Sequence, residues 1–248
     1  MQTKLDEAKA ERLAEAARVA EESPAGGEHP ARGLENGALR AFLQRYYLHT
    51  APEDLADRDP VDILGAAFAH YRLAQNRPQG TANVRVHTPS VDENGWTCSH
   101  TVVEVVTDDM PFLVDSVTNE LSRQHRGIHV VIHPQMIVRR DVTGKLLEVL
   151  DAGRDKLVPG PGGVSVEEKR ELPHDAVTES WIHVEIDRET ERDDLKQITN
   201  DLLRVLSDVR ESVEDWRKMR DAALSIADEL ESEHVAEDVR KEEVEESR

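Results

Sequence analysis

Between Ser99 and Thr107 the chain reads SHTVVEVVT, a β-branched run. Two aspartates and a proline, Asp108, Asp109 and Pro111, stop it. PFLVDSVTNELSRQHRG then begins at once with helical spacing: Phe112, Val114, Val117, Leu121 and Gln124 step round one helix, and Gly127 lies just past its end. IHVVIHPQMIVRR (128–140) returns as a strand. Pro134 within it cannot donate to a ladder, which predicts an edge position or a bulge there. Strand, tight loop, helix and strand in immediate succession admit few folds.

The flanking segments narrow the choice. NVRVHT alternates, so residues 82–88 read as a strand that turns through DENG into 99–107. DVTGKLLEVL reads as a turn and return strand, residues 151–174 as a long loop, ESWIHVEID (179–187) as the last strand, and 191–210 as a helix. A strand–helix–strand crossover followed by an antiparallel strand and a second helix is the split βαβ pattern. Right-handed crossovers put both helices on one face of the sheet. The ferredoxin-like unit normally ends in a fourth strand beside the first. None follows here, and strand 82–88 supplies that edge from the other end of the chain. The fold class predicted is α+β: a ferredoxin-like antiparallel sheet with helices on one face, preceded by a helical hairpin and followed by a long helix.

The remaining segments set the domain plan. Residues 1–33 read as an N-terminal helix and a linker, SPAGGEHPARG (23–33). Residues 34–80 read as a helical hairpin that covers something else. Leu39, Phe42, Leu43, Tyr46 and Tyr47 share one face of its first helix; Leu64, Phe68 and Tyr71 form the stripe of its second, with Asp59 as N-cap and Pro60 at the first helical position. Residues 81–210 form the ferredoxin-like domain and 211–248 a helical extension. Apolar residues recur every three or four positions from Leu195 to Leu230. Unbroken from residue 191 to 230, that helix would span roughly 60 Å at ~1.5 Å per residue, so a break is expected, or a second half that docks elsewhere. The final 21 residues hold ten acids and three bases without a helix stop, as if cut inside an element.

A net charge of −20 excludes the classes that need clustered Lys and Arg, nucleic-acid binders and anionic membrane surfaces. No apolar run approaches the ~20 residues of a membrane span, and the charged N-terminus has no secretory h-region. The single cysteine, Cys98, cannot form an internal disulfide, which fits a reducing compartment. The expectation is a cytoplasmic protein. An RNA-binding ferredoxin-like domain would need basic and aromatic side chains on its middle strands; Val102, Val103, Val105, Trp181, His183 and Glu185 stand there instead.

Candidate functional residues concentrate at the strand–helix junction: Asp108, Asp109, Met110, Pro111, Phe112 and Leu113. Asp108 or Asp109 is expected to cap the helix with Pro111 at its first position. The free N–H groups and positive dipole end would favour a carboxylate of an effector or an interface. His125, His129 and His133 repeat every four residues, but Gly127 breaks the helix. His129 and His133 would lie about 13 Å apart along a strand at ~3.3 Å per residue, too far for one ion. GPGG (160–163) lacks the Lys-Ser/Thr of a phosphate loop and reads as a flexible loop. Cys98 has no basic neighbour in sequence to activate it. No Gly-x-Gly-x-x-Gly occurs.

TDDMPFLVDSVTNEL, HVVIHPQMIVRRD and ESWIHVEID together resemble the N-terminal region of the large bacterial NAD-specific glutamate dehydrogenases, from about Leu39 to the last residue. DMPFLVDSV and IHP are the most characteristic parts. The resemblance implies the first of several ACT-like domains, which are ferredoxin-like regulatory modules. The implied parent oxidises L-glutamate with NAD to 2-oxoglutarate, ammonia and NADH, with its catalytic and dinucleotide-binding domains downstream. It implies no catalytic, cofactor or metal residue in these 248. Small-molecule ACT domains carry Asp-x-Pro-Gly at the junction. Asp109, Met110 and Pro111 match it, and Phe112 stands at the Gly position, where its side chain would fill the ligand's place. Three roles follow: a non-catalytic regulatory or assembly segment, an amino-acid sensor, and an interaction module. Their expected partners are downstream domains of the same chain, sister subunits and an amino-acid effector.

Overall fold

A computed structural model describes residues 2–22, 36–150, 157–160, 163–166 and 173–246. The linker expected at 23–33 lies outside them. The elements in chain order are α1 (Gln2–Glu22), α2 (Asn36–Tyr46), α3 (Glu53–Ala56), α4 (Pro60–Leu73), β1 (Asn83–His87), α5 (Val91–Asn94), β2 (Thr101–Asp108) and α6 (Leu113–Arg123). There follow β3 (Ile128–Ile132), β4 (Gln135–Arg140), β5 (Leu146–Leu150), β6 (Leu157–Gly160), β7 (Gly163–Val166), β8 (Ala176–Ile186) and α7 (Arg192–Glu246). Two compact units result, Met1–Leu206 and Ser207–Arg248.

The first unit is built on one antiparallel sheet in the order β1-β2-β8-β4-β5, with β3 also paired to β8. This is the α+β, ACT-like arrangement. β1 takes the edge beside β2, with Val86 opposite Val103. The turn between them is fuller than a tight hairpin: α5 is capped by the Ser90 hydroxyl, and Gly95 closes it at φ 74°. Pro134 splits the expected long strand into β3 and β4, which pair with successive parts of β8. At the break the Pro134 carbonyl still accepts from the Trp181 N–H at 3.0 Å. Gln124 on α6 donates to Asp201 on α7 at 3.1 Å, so these two helices lie side by side.

By the two-residue period of a strand, Val103, Val105, Ile182, Val184 and Ile186 point to one face. They are buried, and so are Leu113, Val117 and Leu121 of α6 and Ile198, Leu202 and Leu206 of α7. Val106 and Trp181 point the other way, into a core shared with α1, α2 and α4. The helical hairpin therefore covers the second face of the sheet. Aromatic residues are scarce, and six of the nine gather here: Phe42, Tyr46, Tyr47, Phe68, Tyr71 and Trp181. Phe42 meets Tyr71 and Trp181 edge-on at centroid distances of 5.4 and 6.2 Å, a favoured geometry for ring pairs. α1 docks on the hairpin through Leu13, Ala16, Ala17 and Ala20. Lys9 closes its contact by donating to the Leu48 and Thr50 carbonyls at 3.0 and 2.6 Å.

α4 begins as its sequence predicts. The Asp59 carboxylate accepts from the Val61 N–H at 2.8 Å, and Pro60 is the first helical residue. One expectation fails. The stretch read as a loop around GPGG contains a two-stranded ribbon, β6 paired with β7 from Leu157–Val166 to Gly160–Gly163. Short β-prone runs on either side of a Gly- and Pro-rich stretch of sequence explain it. Of the break or separately docking second half expected for the last helix, the break is absent: α7 runs for 55 residues. No Gly or Pro interrupts it. Trp216, Met219, Leu224 and Ile226 along it are exposed.

Gly65 lets Trp96 lie against α4, because a Cβ there would sit 2.3 Å from the ring's Cγ. Alanine raises helix propensity by about 1 kcal/mol, but the overpacking of a rigid indole costs about 1–3 kcal/mol and can exceed that. Gly65→Ala should therefore lower stability in urea denaturation, with Trp96 fluorescence shifted.

Candidate functional site

The junction loop leaves β2 at Asp108 and enters α6 at Leu113. Neither aspartate caps the helix. The N-cap position is Phe112, at φ 71° and ψ 0°, with no side-chain cap. The carboxylates are captured elsewhere. Asp108 accepts from Arg77 at 2.7 Å and from the Gly80 N–H at 2.9 Å. Asp109 accepts from the Ser180 hydroxyl at 2.5 Å and from the Gln135 amide at 2.9 Å. Charge-assisted bonds to partners remote in sequence outweigh a local cap. Asp115 supplies the only acidic side chain in the first turn of α6. Pro111 is exposed, Met110 half-buried and Leu113 buried. Phe112 is 67% exposed. It adopts the left-handed conformation that a glycine would take at this position at less cost.

Asp108 belongs to a larger buried network. Arg77, fully buried, donates to Glu179 at 2.6 Å and to the Thr81 carbonyl at 2.9 Å. Arg140 donates to both oxygens of Glu179 at 2.6 and 2.9 Å. The Trp181 indole N–H adds a bond at 3.0 Å. The Gly144 carbonyl accepts from the Arg77 N–H at 2.8 Å, and Gly144 stands at φ 89°. A Cβ on it would meet the Arg77–Pro78 backbone at 2.4 Å.

The same face of the sheet carries two further carboxylates. Glu104 lies opposite Arg85 on β1 and His183 on β8. Arg85 binds its Oε2 at 2.6 Å and the Ala69 carbonyl of α4 at 2.7 Å. Burial works against ionisation of Glu104, but its neighbours His87, His70 and Arg85 hold its pKa down to about 2. Glu185 is gripped by Arg58 at 2.5 and 2.9 Å. Burial opposes its charge as well, and His183 and Arg58 prevail, keeping it below the usual carboxylate range. His70 donates from Nε2 to the Val105 carbonyl at 3.0 Å and accepts from the Tyr46 hydroxyl at Nδ1, 2.9 Å away. Burial brings its pKa down to about 4, so the ring is neutral.

Apart from Asp108, none of these residues stood out as a site in the sequence. The available signal was a glutamate inside a β-branched run, TVVEVVT, and two more on alternate positions of ESWIHVEI. Each needs a buried partner.

The three histidines read as unlinked have different surroundings. His129 pairs with Asp187 at 2.8 Å and stacks on His100 at 4.0 Å. His133 lies 3.0 Å from the Ser180 hydroxyl. His125, not Gly127, takes the left-handed conformation past the helix (φ 58°), while the Gly127 N–H bonds Asp187. Burial pushes the Cys98 thiol up to about 11, which leaves it a poor nucleophile at neutral pH. No helix among the described residues is long and apolar enough to cross a membrane.

A family model described as "Glutamate dehydrogenase, ACT1 domain" matches residues 42–202, which take in α2 to the first turns of α7. The chain belongs to that family. Among curated proteins, the NAD-specific glutamate dehydrogenase of Halomonas elongata is 35% identical over 191 residues, 77% of this chain and 11% of the relative. That of Pseudomonas aeruginosa is 31% identical over 72% of this chain and 10% of its own length. That of Mycobacterium tuberculosis is 29% identical over 70% and 10%. This ACT1 segment thus spans about a tenth of the length of the relatives it matches. The characteristic DMPFLVDSV and IHP stretches fall at two structural joints of the ACT1 fold, the β2–α6 loop and the β3–β4 break.

Two outcomes test this geometry. Glu179→Gln takes the carboxylate from the buried Arg140 and leaves Arg77 with Asp108, and breaking such a buried pair costs about 3–5 kcal/mol; calorimetry should show a loss of that order or failure to fold. Phe112→Gly relieves a left-handed residue worth about 1–2 kcal/mol and removes an exposed ring. The denaturation midpoint should hold or rise, and a fall would reveal a packing role for that ring.

Proposed function

We propose that this ACT1 segment is a non-catalytic regulatory and assembly part of a cytoplasmic NAD-dependent glutamate dehydrogenase. The parent would convert L-glutamate, NAD and water to 2-oxoglutarate, ammonia and NADH, with the chemistry in other parts of the enzyme. Family membership supports the parent's identity, since the relatives are named NAD-specific glutamate dehydrogenases.

One observation carries the assembly role. Trp216, Met219, Ala223 and Ile226 follow the alternating three- and four-residue spacing of a coiled-coil seam, and all four are exposed. Such a row gains by pairing with another helix, and a sister subunit or a further domain of the same enzyme is the partner proposed. The junction loop favours assembly over amino-acid sensing. Asp108 and Asp109, the acidic groups that could receive an ammonium, already hold scaffold partners, and Phe112 presents an exposed ring instead.

Light scattering of the purified chain should show association above the monomer mass, and Met219→Lys with Ile226→Lys should abolish it. The chain alone should form no NADH from glutamate and NAD, and calorimetric titrations with the twenty amino acids at millimolar concentration should be flat. A strict monomer at high concentration that binds one amino acid would replace assembly with sensing, and turnover by the chain would overturn the non-catalytic assignment.

A further inference from the structure

The sheet face under α4 contains three acceptors with too few donors. One ring nitrogen each of His70 and His183 and one carboxylate oxygen of Glu104 lie within 4.8 Å of one another, and all three residues are buried. The His183 Nε2 faces Glu185 Oε1 at 3.3 Å, which keeps the ring proton there and turns Nδ1 into a lone pair. That Nδ1 has no hydrogen-bond partner, and neither has Glu104 Oε1. Arg85 engages only the other oxygen of Glu104. His70 is oriented the same way. Its Nε2 must carry the proton, because the Val105 carbonyl can only accept, so its lone pair is on Nδ1, where the Tyr46 hydroxyl is the sole donor.

Buried lone pairs left without donors are costly. A cation removes that cost at once. Two imidazoles and a carboxylate suit a first-row divalent ion. Metal-binding histidines typically tie their second nitrogen to a carbonyl or carboxylate, as the Val105 carbonyl and Glu185 do here.

We propose that His70, Glu104 and His183 form a binding site for one divalent transition ion of the zinc class. The ion joins α4 to β2 and β8, and so clamps the helical cover to the centre of the sheet. The Tyr46 hydroxyl, displaced from His70 Nδ1, stands next to the ion. The rival occupant is a single enclosed water, whose two hydrogens could serve Glu104 and His183.

The test is to strip the full 248-residue chain with chelator under denaturing conditions and refold it with and without Zn²⁺ or Co²⁺. The clamp predicts about one ion retained per chain after gel filtration, a higher melting temperature than the chelator-treated protein, and visible d–d absorption for the Co²⁺ form. Glu104→Gln and His183→Gln should weaken retention by at least about tenfold, the loss typical even of an outer-shell partner, while His129→Gln should retain the ion. Should either of the first two variants fail to fold, the Co²⁺ spectrum and melting shift of the unaltered chain decide. An unaltered chain that refolds with no retained ion, no shift and no Co²⁺ bands assigns the niche to water and overturns the proposal. Retention undiminished in folded Glu104→Gln and His183→Gln overturns it too, by placing the ion elsewhere.

Discussion

The structure depends on matching charges where a sheet is covered by helices. Glu104, Glu179 and Glu185 all face the helical cover, and each is met by arginine from outside the central strands: Arg85 from β1, Arg77 and Arg140 from the segments after α4 and in β4, and Arg58 from the turn after α3. Removing such charges from water costs several kcal/mol per ion, and their attraction repays this only when geometry is good. The network is therefore weak evidence for stability but strong evidence for a unique arrangement. A slip of one residue in β8 would turn Glu179, His183 and Glu185 to the opposite face, among the valines and isoleucines under α6. The buried charges disfavour that register.

The same network explains the junction loop. In a domain whose loop carboxylates were free, the start of α6 would have its own cap and an acidic group to offer a ligand. Here Asp108 is drawn into the Arg77–Glu179 cluster and Asp109 into the Ser180–Gln135 pair, which fixes the end of β2 rigidly while leaving α6 uncapped.

Local chemistry explains which parts were legible in the sequence. The β-branched run, the Asp59-Pro60 start and the ladder-breaking Pro134 act through neighbours in the chain, and each produced the expected element. The ferredoxin-like order, including the edge strand supplied by 83–87, followed from connectivity rules alone. The cap of α6 was misread because the decisive partners are remote: Arg77 is 31 residues from Asp108, and Ser180 is 71 from Asp109. The Arg77–Glu179 pair is separated by 102 residues. Nothing in either segment alone names the other. The His70, Glu104 and His183 cluster was hidden for the same reason, since its members come from a helix and two strands. Length alone suggested a break in α7, and its sequence holds no Gly or Pro to make one.

One feature of the topology bears on how the chain reaches this state. β8 pairs with β2 on one side and with β3 and β4 on the other, so the strand made last sits in the middle. As the polypeptide leaves the ribosome, β1–β2 and β4–β5 emerge as separate hairpins with open edges, and only residues 176–186 can join them. Closure then needs contacts distant in sequence, which slow folding, and until that moment a nascent chain exposes apolar edges that a chaperone can recognise.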